Sequence, residues 1–332
     1  MALLRSRAGI GVAALVGLSM VTAGCAEQSG GGDAAAEKYP EKQVQYVIPF
    51  DPGGESDITA RLQQGPLEDE FGESVVVSNR PGGGGAVGWS ELVTSTKSDG
   101  YTVMGANLPH IVLQPLARDD AGYATEDIRW AYIFESTPNA LVVDKDSDYK
   151  SLEDFVQAAN NGKFTVGGSS SFSANHIGTL ALNKAADIDL TYVPFSGTAT
   201  ASPALLGGQV DALMTYNTEA QDLIDQGSRV LAVASEERLP GLPDVPTFKE
   251  EGYEVVQGAW RGVAVPPDTP DAVVEEIADA FAKVNDDPEV KEKMESLGFI
   301  IEDMGPDEAQ EFTEGQVTEA SELLERFGLL KD

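Results

Sequence analysis

The stretch Val44 to Asp57, VQYVIPFDPGGESD, decides the fold of this chain. Its first half, Val44 to Phe50, is an extended apolar run, and a glycine-rich turn follows before a helical pattern begins near Ile58. A helix N-terminus presents free backbone N–H groups and a partial positive charge, which together favour an anion. The stretch therefore predicts a strand, a tight turn and a helix whose first turn can hold an anionic group.

Strand-like and helical segments alternate along the rest of the chain, which is typical of parallel sheets covered by helices. The predicted strands are Gln45–Pro49, Ser74–Ser78, Thr102–Met104, Arg129–Phe134, Ala140–Val143, Phe164–Val166, Leu190–Val193, Ala212–Thr215 and Val230–Ala234. The predicted helices are Asp57–Phe71, Gly88–Thr96, Ser151–Asn160, Ser173–Ala185 and Thr200–Gly207, and the pattern after Val265 is mostly helical, with a last helix from Pro306 to Phe327. The sequence thus predicts an α/β fold.

Residues 1–24 have the features of a secretory signal peptide: a basic start, the apolar stretch Ala8–Val21 and a small pair before Cys25. This order is similar to a bacterial lipobox, although Thr22 stands where leucine is usual, and it implies a lipid-modified Cys25. Residues 25–42 then form a flexible tether. We expect an extracytoplasmic protein attached to the outer face of a membrane only through its lipid, with plain secretion as the alternative.

Acidic residues outnumber basic ones by 55 to 22, which gives a formal net charge of −33 at pH 7. Such a surface repels nucleic acid and anionic lipid, so we expect no nucleic-acid partner. A single cysteine allows no internal disulfide. With His110 and His176 as the two histidines, and without the spacing of a calcium loop, we expect neither a metal nor a cofactor.

Two segments could be taken for catalytic motifs. Gly83–Gly88 (GGGAVG) fits the dinucleotide pattern GxGxxG, but the expected acidic residue is missing and an exported protein does not meet the cytosolic NAD pool. Serines at 169, 170, 171 and 173 precede His176, so an exported serine hydrolase is an alternative function. His176 follows Ser173 by about one helical turn on the same element, where local capping is the commoner use. We therefore expect no enzyme.

Six blocks of sequence resemble, in the same order, the extracytoplasmic receptors of tripartite tricarboxylate transporters, also called the Bug family. They are VIPFDPGGESDITAR (Val47–Arg61), SNRPGGGG (Ser78–Gly85), DGYT (Asp99–Thr102), LLGGQVD (Leu205–Asp211), LPDVPTFKEEG (Leu242–Gly252) and GVAVPPDTP (Gly262–Pro270). The resemblance implies a two-lobed fold of the periplasmic-binding-protein kind, type II, with a sheet and flanking helices in each lobe. The ligand cleft then lies between the lobes.

The resemblance also implies how the chain is divided and what it does. The first lobe is discontinuous, residues 43–138 plus 259–332, and the second is residues 139–258. A small organic acid is captured between the lobes and delivered by a monomer to a large and a small integral-membrane transporter subunit. A ligand-sensing receptor for a two-component system is the alternative.

Family ligands are held at one carboxyl group by the first turn and by a serine- or glycine-rich loop of the other lobe. The implied ligand-binding residues, with three polar residues that follow strand ends, are Phe50, Pro52, Gly53, Gly54, Ser56, Asp57, Asn107, Ser169, Ser170, Ser173, Thr215 and Asn217. Helix N-termini can neutralise a carboxylate, so no arginine clamp is needed. Asp57 either caps the helix or meets a ligand amine. Phe172, where the family has glycine, either lines the pocket or turns into the core of its lobe.

Overall fold

The computed structural model describes residues 39–331 of the chain. The predicted signal peptide, Cys25 and the tether up to residue 38 lie outside the described residues. Between residues 39 and 331, no helix combines the length and the apolar character that crossing a membrane requires.

Strands and helices alternate over most of the described range. The strands are β1 (Val44–Ile48), β2 (Val75–Asn79), β3 (Thr102–Leu108), β4 (Arg129–Val143), β5 (Phe164–Gly168), β6 (Leu190–Pro194), β7 (Ala212–Tyr216), β8 (Arg229–Val233), β9 (Gly258–Val265) and β10 (Ile300–Met304). The helices are α1 (Glu55–Phe71), α2 (Ala86–Thr94), α3 (His110–Ala117), α4 (Leu152–Ala159), α5 (Ala174–Ala186), α6 (Thr198–Leu206), α7 (Asn217–Asp225), α8 (Asp271–Asp286), α9 (Pro288–Ser296) and α10 (Pro306–Arg326). Short 3₁₀ turns lie at Gly83–Gly85 and Thr125–Asp127.

Two sheets are joined through the shared strand β4, in the order β2-β1-β3-β9-β4-β7-β5-β6, with β8 and β10 also paired to β4. In the first sheet β1 is parallel to β2 and β3, and β9 is antiparallel to β3 and β4. In the second sheet β5 is parallel to β6 and β7, while β7 and β8 are antiparallel to β4. The prediction of two α/β lobes is confirmed.

Strand β4 carries the chain from one lobe to the other. It pairs with β9 as far as Pro138 opposite Gly258, and with β7 from Asn139 onward. The predicted break between Phe134 and Ala140 is therefore wrong. The ladder continues past the proline because Asn139 donates its N–H to the carbonyl of Gln257 at 2.8 Å. The lobe boundaries near residues 138 and 258 fall close to this crossing and stay a prediction.

Helices cover both faces of each sheet, as the alternation of side chains along a strand requires. In the first lobe, the neighbours Tyr46 and Val47 belong to different apolar clusters. One cluster contains Phe281 of α8 and the other contains Trp89 of α2. Ile177 of α5 also belongs to the Trp89 cluster, so apolar packing passes from the second lobe to the first.

Candidate functional site

Three backbone N–H groups in the first turn of α1 are without an acceptor among residues 39–331. Helix α1 begins at Glu55, two residues before the predicted start, and its N-cap residue Gly54 is extended, with φ −80° and ψ 168°. The N–H groups of Asp57 and Ile58 donate to the carbonyl of Gly54 at 3.0 Å. Those of Gly54, Glu55 and Ser56 have no protein acceptor in the described range. These three groups, named the cradle below, point outward from the positive end of the helix and can hold an anion.

Asp57 is buried and holds the turn in shape. Its Oδ2 accepts the N–H of Gly53 at 2.9 Å and Nε of Arg61 at 3.0 Å, and its Oδ1 accepts Nδ2 of Asn79 at 3.0 Å. Burial acts to raise the pKa of this carboxyl group, but the hydrogen bonds from Arg61 and Gly53 outweigh it and lower the pKa. Asp57 therefore fixes the turn that precedes the helix and does not cap the helix N–H groups, since no side chain in the described range caps this helix start. Its contact with a ligand stays a prediction.

The turn before the cradle is open to a ligand. Gly53 has φ +83°, and a Cβ atom built on it would meet nothing within 4 Å. Pro52 is exposed, and Phe50 is half-buried. The Phe50 ring packs edge-on against the rings of Trp89 and His110, with both centroid distances 5.9 Å. Phe50 thus anchors the turn to the first lobe, and the glycines leave the backbone accessible.

The serine loop of the second lobe is held by internal hydrogen bonds. Ser169 Oγ donates to Oδ1 of Asn175 at 2.6 Å, and the Ser169 N–H donates to the same oxygen at 3.1 Å. Ser173 is the N-cap of α5 and accepts the N–H of His176 at 3.3 Å. The hydroxyls of Ser169 and Ser173 therefore have structural partners, and their contact with a ligand stays a prediction.

Ser170 faces the first lobe across the cleft. A Cβ atom built on Gly84 would lie 3.3 Å from Ser170 Oγ, so the two lobes are close at this point. Ser170 is half-buried, and its hydroxyl makes no hydrogen bond to protein within the part of the chain that the structure describes. This hydroxyl is therefore free to meet a ligand.

Phe172 takes a backbone conformation that glycine adopts more easily. Its φ is +59°, in the left-handed region that residues other than glycine rarely adopt. Its half-buried ring packs against the apolar cluster around Trp89 and lies edge-on to His176 at 5.6 Å. The ring therefore adds to the packing between the lobes.

The three residues predicted from strand ends each bury a polar atom for which the described part of the chain provides no partner. Asn107, Thr215 and Asn217 are 4%, 0% and 2% exposed. Among residues 39–331, no hydrogen-bond partner is found for Oδ1 of Asn107, Oγ1 of Thr215 or Oδ1 of Asn217. Asn107 also donates from Nδ2 to Ser56 Oγ at 3.1 Å, which joins it to the first turn of α1. Buried polar atoms are normally satisfied, so these three point to a ligand or to water.

Arg261 lies beside Asn107 and was not among the predicted site residues. On β9 it is opposite Asn107 of β3 and Glu135 of β4, and it is 3% exposed. It forms an ion pair with Glu55 and donates from Nη1 to Thr137 Oγ1 at 2.7 Å. No local motif marks it, because its partners come from distant segments and the block GVAVPPDTP begins one residue later, at Gly262.

Burial shifts the pKa values of Glu135 and His110, which lie near Arg261, and of His176 in the second lobe. It raises the pKa of Glu135 to about 8, although Arg261 acts in the opposite direction. It lowers the pKa of His110 to about 3, with Arg261 contributing, and lowers that of His176 to about 4. At neutral pH both histidines are therefore uncharged, and Glu135 is largely protonated.

The pH dependence of stability tests the protonation of Glu135. Between the pKa of glutamate in the unfolded chain and the folded value of about 8, the folded protein holds a proton that the unfolded chain releases. The wild type therefore loses stability as pH rises through this window. The Glu135→Gln variant has no proton to release at this position, so it does not lose this stability. Urea unfolding from about pH 5 to about pH 8 should show the variant gaining stability relative to wild type. A stability difference between the variant and the wild type that stays constant with pH would contradict the protonation of Glu135.

A groove with a volume of about 720 Å³ lies beside the β4–β9 crossing, where Pro138 and Gly258 contribute to its lining. Trp260, Phe299 and Leu239 contribute to its apolar wall, and Glu302 is among its polar lining residues. Of the predicted site residues it includes Asn217. In the range 39–331, no three His, Cys, Asp or Glu side chains are grouped to hold a metal ion.

Known proteins match this chain over most of its length. The model described as the tripartite tricarboxylate transporter family receptor matches residues 59–329. The chain is similar to the periplasmic binding protein BugD, at 27% identity and a TM-score of 0.80, covering 89% of this chain and 100% of BugD. It is similar to MatC of Rhodopseudomonas palustris with bound malate, at 26% identity and a TM-score of 0.78, covering 86% of this chain and 100% of MatC. It is also similar to an R. palustris protein with adipate, at 26% identity and a TM-score of 0.80, covering 87% of this chain and 98% of that protein.

Proposed function

The chain belongs to the receptor family of tripartite tricarboxylate transporters, and from this premise we propose that it is a solute-binding protein for a small organic acid. Its fold is the two-lobed α/β fold of the periplasmic binding proteins it resembles. It acts outside the cytoplasm and delivers the acid to a large and a small integral-membrane subunit. The protein has no catalytic role and uses no cofactor.

The observation that carries this proposal is the cradle at the start of α1. Three free N–H groups in one turn match the oxygens of a carboxylate, and the macrodipole of the 17-residue helix favours its charge. The long-range field of a chain with net charge −33 does not attract an anion. Recognition therefore depends on local hydrogen bonds, which also allow the acid to be released.

The two ligand-bearing relatives support a carboxylate as the solute. MatC was solved with malate and the other R. palustris protein with adipate, and both molecules are small dicarboxylates. We assign one carboxylate of the solute to the cradle, beside Phe50, Pro52, Gly53 and Asp57. The remaining part of the solute then reaches Asn107 in the first lobe and Ser169, Ser170, Ser173, Thr215 and Asn217 in the second.

The proposal includes the division of the chain and its attachment. The first lobe is residues 43–138 with 259–332, and the second is residues 139–258, with the β4 and β9 strands as hinge. Lipid on Cys25 attaches the protein to the membrane through the tether, and the receptor works as a monomer.

The serine loop is better suited to binding than to hydrolysis. A serine hydrolase needs a histidine ring nitrogen in contact with the nucleophile hydroxyl. Here Nδ1 of His176 accepts the N–H of Phe172 at 3.2 Å, and Ser173 Oγ is engaged by the backbone N–H of His176. Within residues 39–331 no hydroxyl of the loop is hydrogen-bonded to a histidine ring.

A thermal-shift screen tests the proposed function. We expect at least one member of a panel of dicarboxylates, tricarboxylates, aromatic acids and amino acids to raise the melting temperature. A ligand at 100 times its dissociation constant stabilises the folded state by about 2.7 kcal/mol. The matching alcohols and amides serve as controls, because they lack the carboxylate charge. Stabilisation by none of the acids, or equally by the uncharged analogues, would contradict the proposal.

A further inference from the structure

A carboxylate of the protein itself lies next to the cradle. Glu55 supplies one of the three N–H groups, and its side chain bends back to meet Arg261 of β9 and Thr218 of α7. The Glu55 side chain is 15% exposed, so water screens it weakly. An unneutralised charge at this position would repel a ligand carboxylate on the cradle, since like charges disfavour each other strongly in partly buried sites.

Arg261 supplies the charge that offsets Glu55. Arg261 is 3% exposed, and besides the ion pair with Glu55 its Nη1 lies 3.8 Å from Oε1 of Glu135. Because burial raises the pKa of Glu135 to about 8, that second carboxyl group is largely neutral at pH 7. One cation and one anion then remain, and the region behind the cradle is close to neutral.

Other groups that face the pair do not replace Arg261. Burial raises the pKa of Glu55, and the negative charge of Glu219 on α7 adds a smaller effect in the same direction, while Arg261 acts to lower it. Tyr216 places its ring 5.1 Å from Arg261 Cζ, and burial raises its pKa to about 12, so it is neutral. His110 is also neutral, because its pKa is lowered to about 3. Among the described residues in contact with Glu55, Arg261 is therefore the one positive charge.

We propose that Arg261 is a positioning residue that makes the cradle accept an anion: it neutralises Glu55 and holds this side chain away from the ligand. The inference rests on the proposed carboxylate binding. Arg261 acts through Glu55 and needs no contact with the ligand. Removing the arginine should therefore harm binding, and removing the glutamate as well should restore it.

The test compares Arg261→Met with the double variant Arg261→Met/Glu55→Gln, using adipate, malate and every acid that stabilises the wild type. At pH 7 we expect Arg261→Met to bind the acid at least tenfold more weakly by calorimetry. Its affinity should recover as pH falls toward 5, because Glu55 becomes protonated and the repulsion disappears. The double variant should bind within threefold of wild type across this range, and Arg261→Lys, which keeps the charge, should also bind. Unchanged affinity in Arg261→Met, or loss that Glu55→Gln does not restore, would overturn the proposal.

A second measurement needs no ligand. In urea unfolding at pH 7, the double variant should be more stable than Arg261→Met, because the single variant leaves the Glu55 charge without a partner. Additive effects of the two substitutions would overturn the inference. If the wild type binds none of the acids, the proposed function fails. The comparison of unfolding free energies among the variants still decides whether Arg261 neutralises Glu55.

Discussion

Gly54→Val is expected to weaken binding of the carboxylate at least tenfold, which is a loss of about 1.4 kcal/mol or more. Gly54 has φ −80° and ψ 168°, a conformation that valine adopts without strain. A Cβ atom there would meet nothing nearer than the carbonyl of Asp51 at 3.7 Å, so the side chain fits the protein. Its methyl groups would occupy the space in front of the cradle. Gly53 is a poorer choice, because its φ of +83° would strain any replacement.

Gly305→Val is the matched control. Gly305 is the N-cap residue of α10, has φ −67° and ψ −179°, and has nothing within 4 Å of its Cβ position. Both variants therefore lose a similar amount of stability, about 1 kcal/mol for a poor N-cap. Calorimetric titration should show weak binding in the Gly54 variant and normal binding in the Gly305 variant. Equal affinity in the two variants would show that the first turn of α1 is not part of the binding site.

Asn139→Ala is expected to have the largest effect on stability, about 2–4 kcal/mol. Asn139 is fully buried at the point where β4 enters the second lobe. Its Nδ2 donates to the carbonyl of Ala174 at 2.8 Å, and its Oδ1 accepts Nδ2 of Asn175 at 2.9 Å. Asn175 in turn holds both polar groups of Ser169. The substitution therefore leaves buried groups unpaired and loosens the serine loop.

Asn161→Ala provides the comparison for this variant. Asn161 is exposed, and its Nδ2 donates to the carbonyl of Gln157 at 2.8 Å. Its loss should cost less than about 0.5 kcal/mol, since water replaces the bond. Urea unfolding of both variants measures the difference. Similar stability losses at the two positions would contradict the role of the Asn139 network.

The sequence predicted those parts of the fold that depend on local chemistry. The glycine turn before α1, the proline and glycine signals and the alternation of elements placed most strands within about two residues. Helix α3, residues His110–Ala117, was not predicted, because its first five residues are all buried and show no amphipathic period. The short strand β10, IIEDM, was missed because it gains its ladder from β4, about 160 residues earlier in the chain.

In the candidate site, too, the residues of a local motif could be predicted, and the contacts between distant segments could not. The cradle and the turn around Gly54 follow from a contiguous motif. Asn107 and Thr215 were predicted as site residues because each lies near the end of a strand, β3 in the first lobe and β7 in the second. The pairing of Glu55 with Arg261 joins residues 206 positions apart, and no spacing rule connects them. The continuity of β4 through Pro138 depends likewise on Gly258, whose Cβ would lie 2.6 Å from the carbonyl of Thr137. Such contacts require the folded arrangement.

The most direct test of carboxylate binding at the cradle is a structure of the protein with the acid that stabilises it most. We expect one carboxylate of that acid within about 3.2 Å of the N–H groups of Gly54, Glu55 and Ser56, with the rest of the molecule toward Asn107 and Ser170. An acid bound in the groove beside Trp260, or held in the cleft without contact to the first turn of α1, would contradict the account.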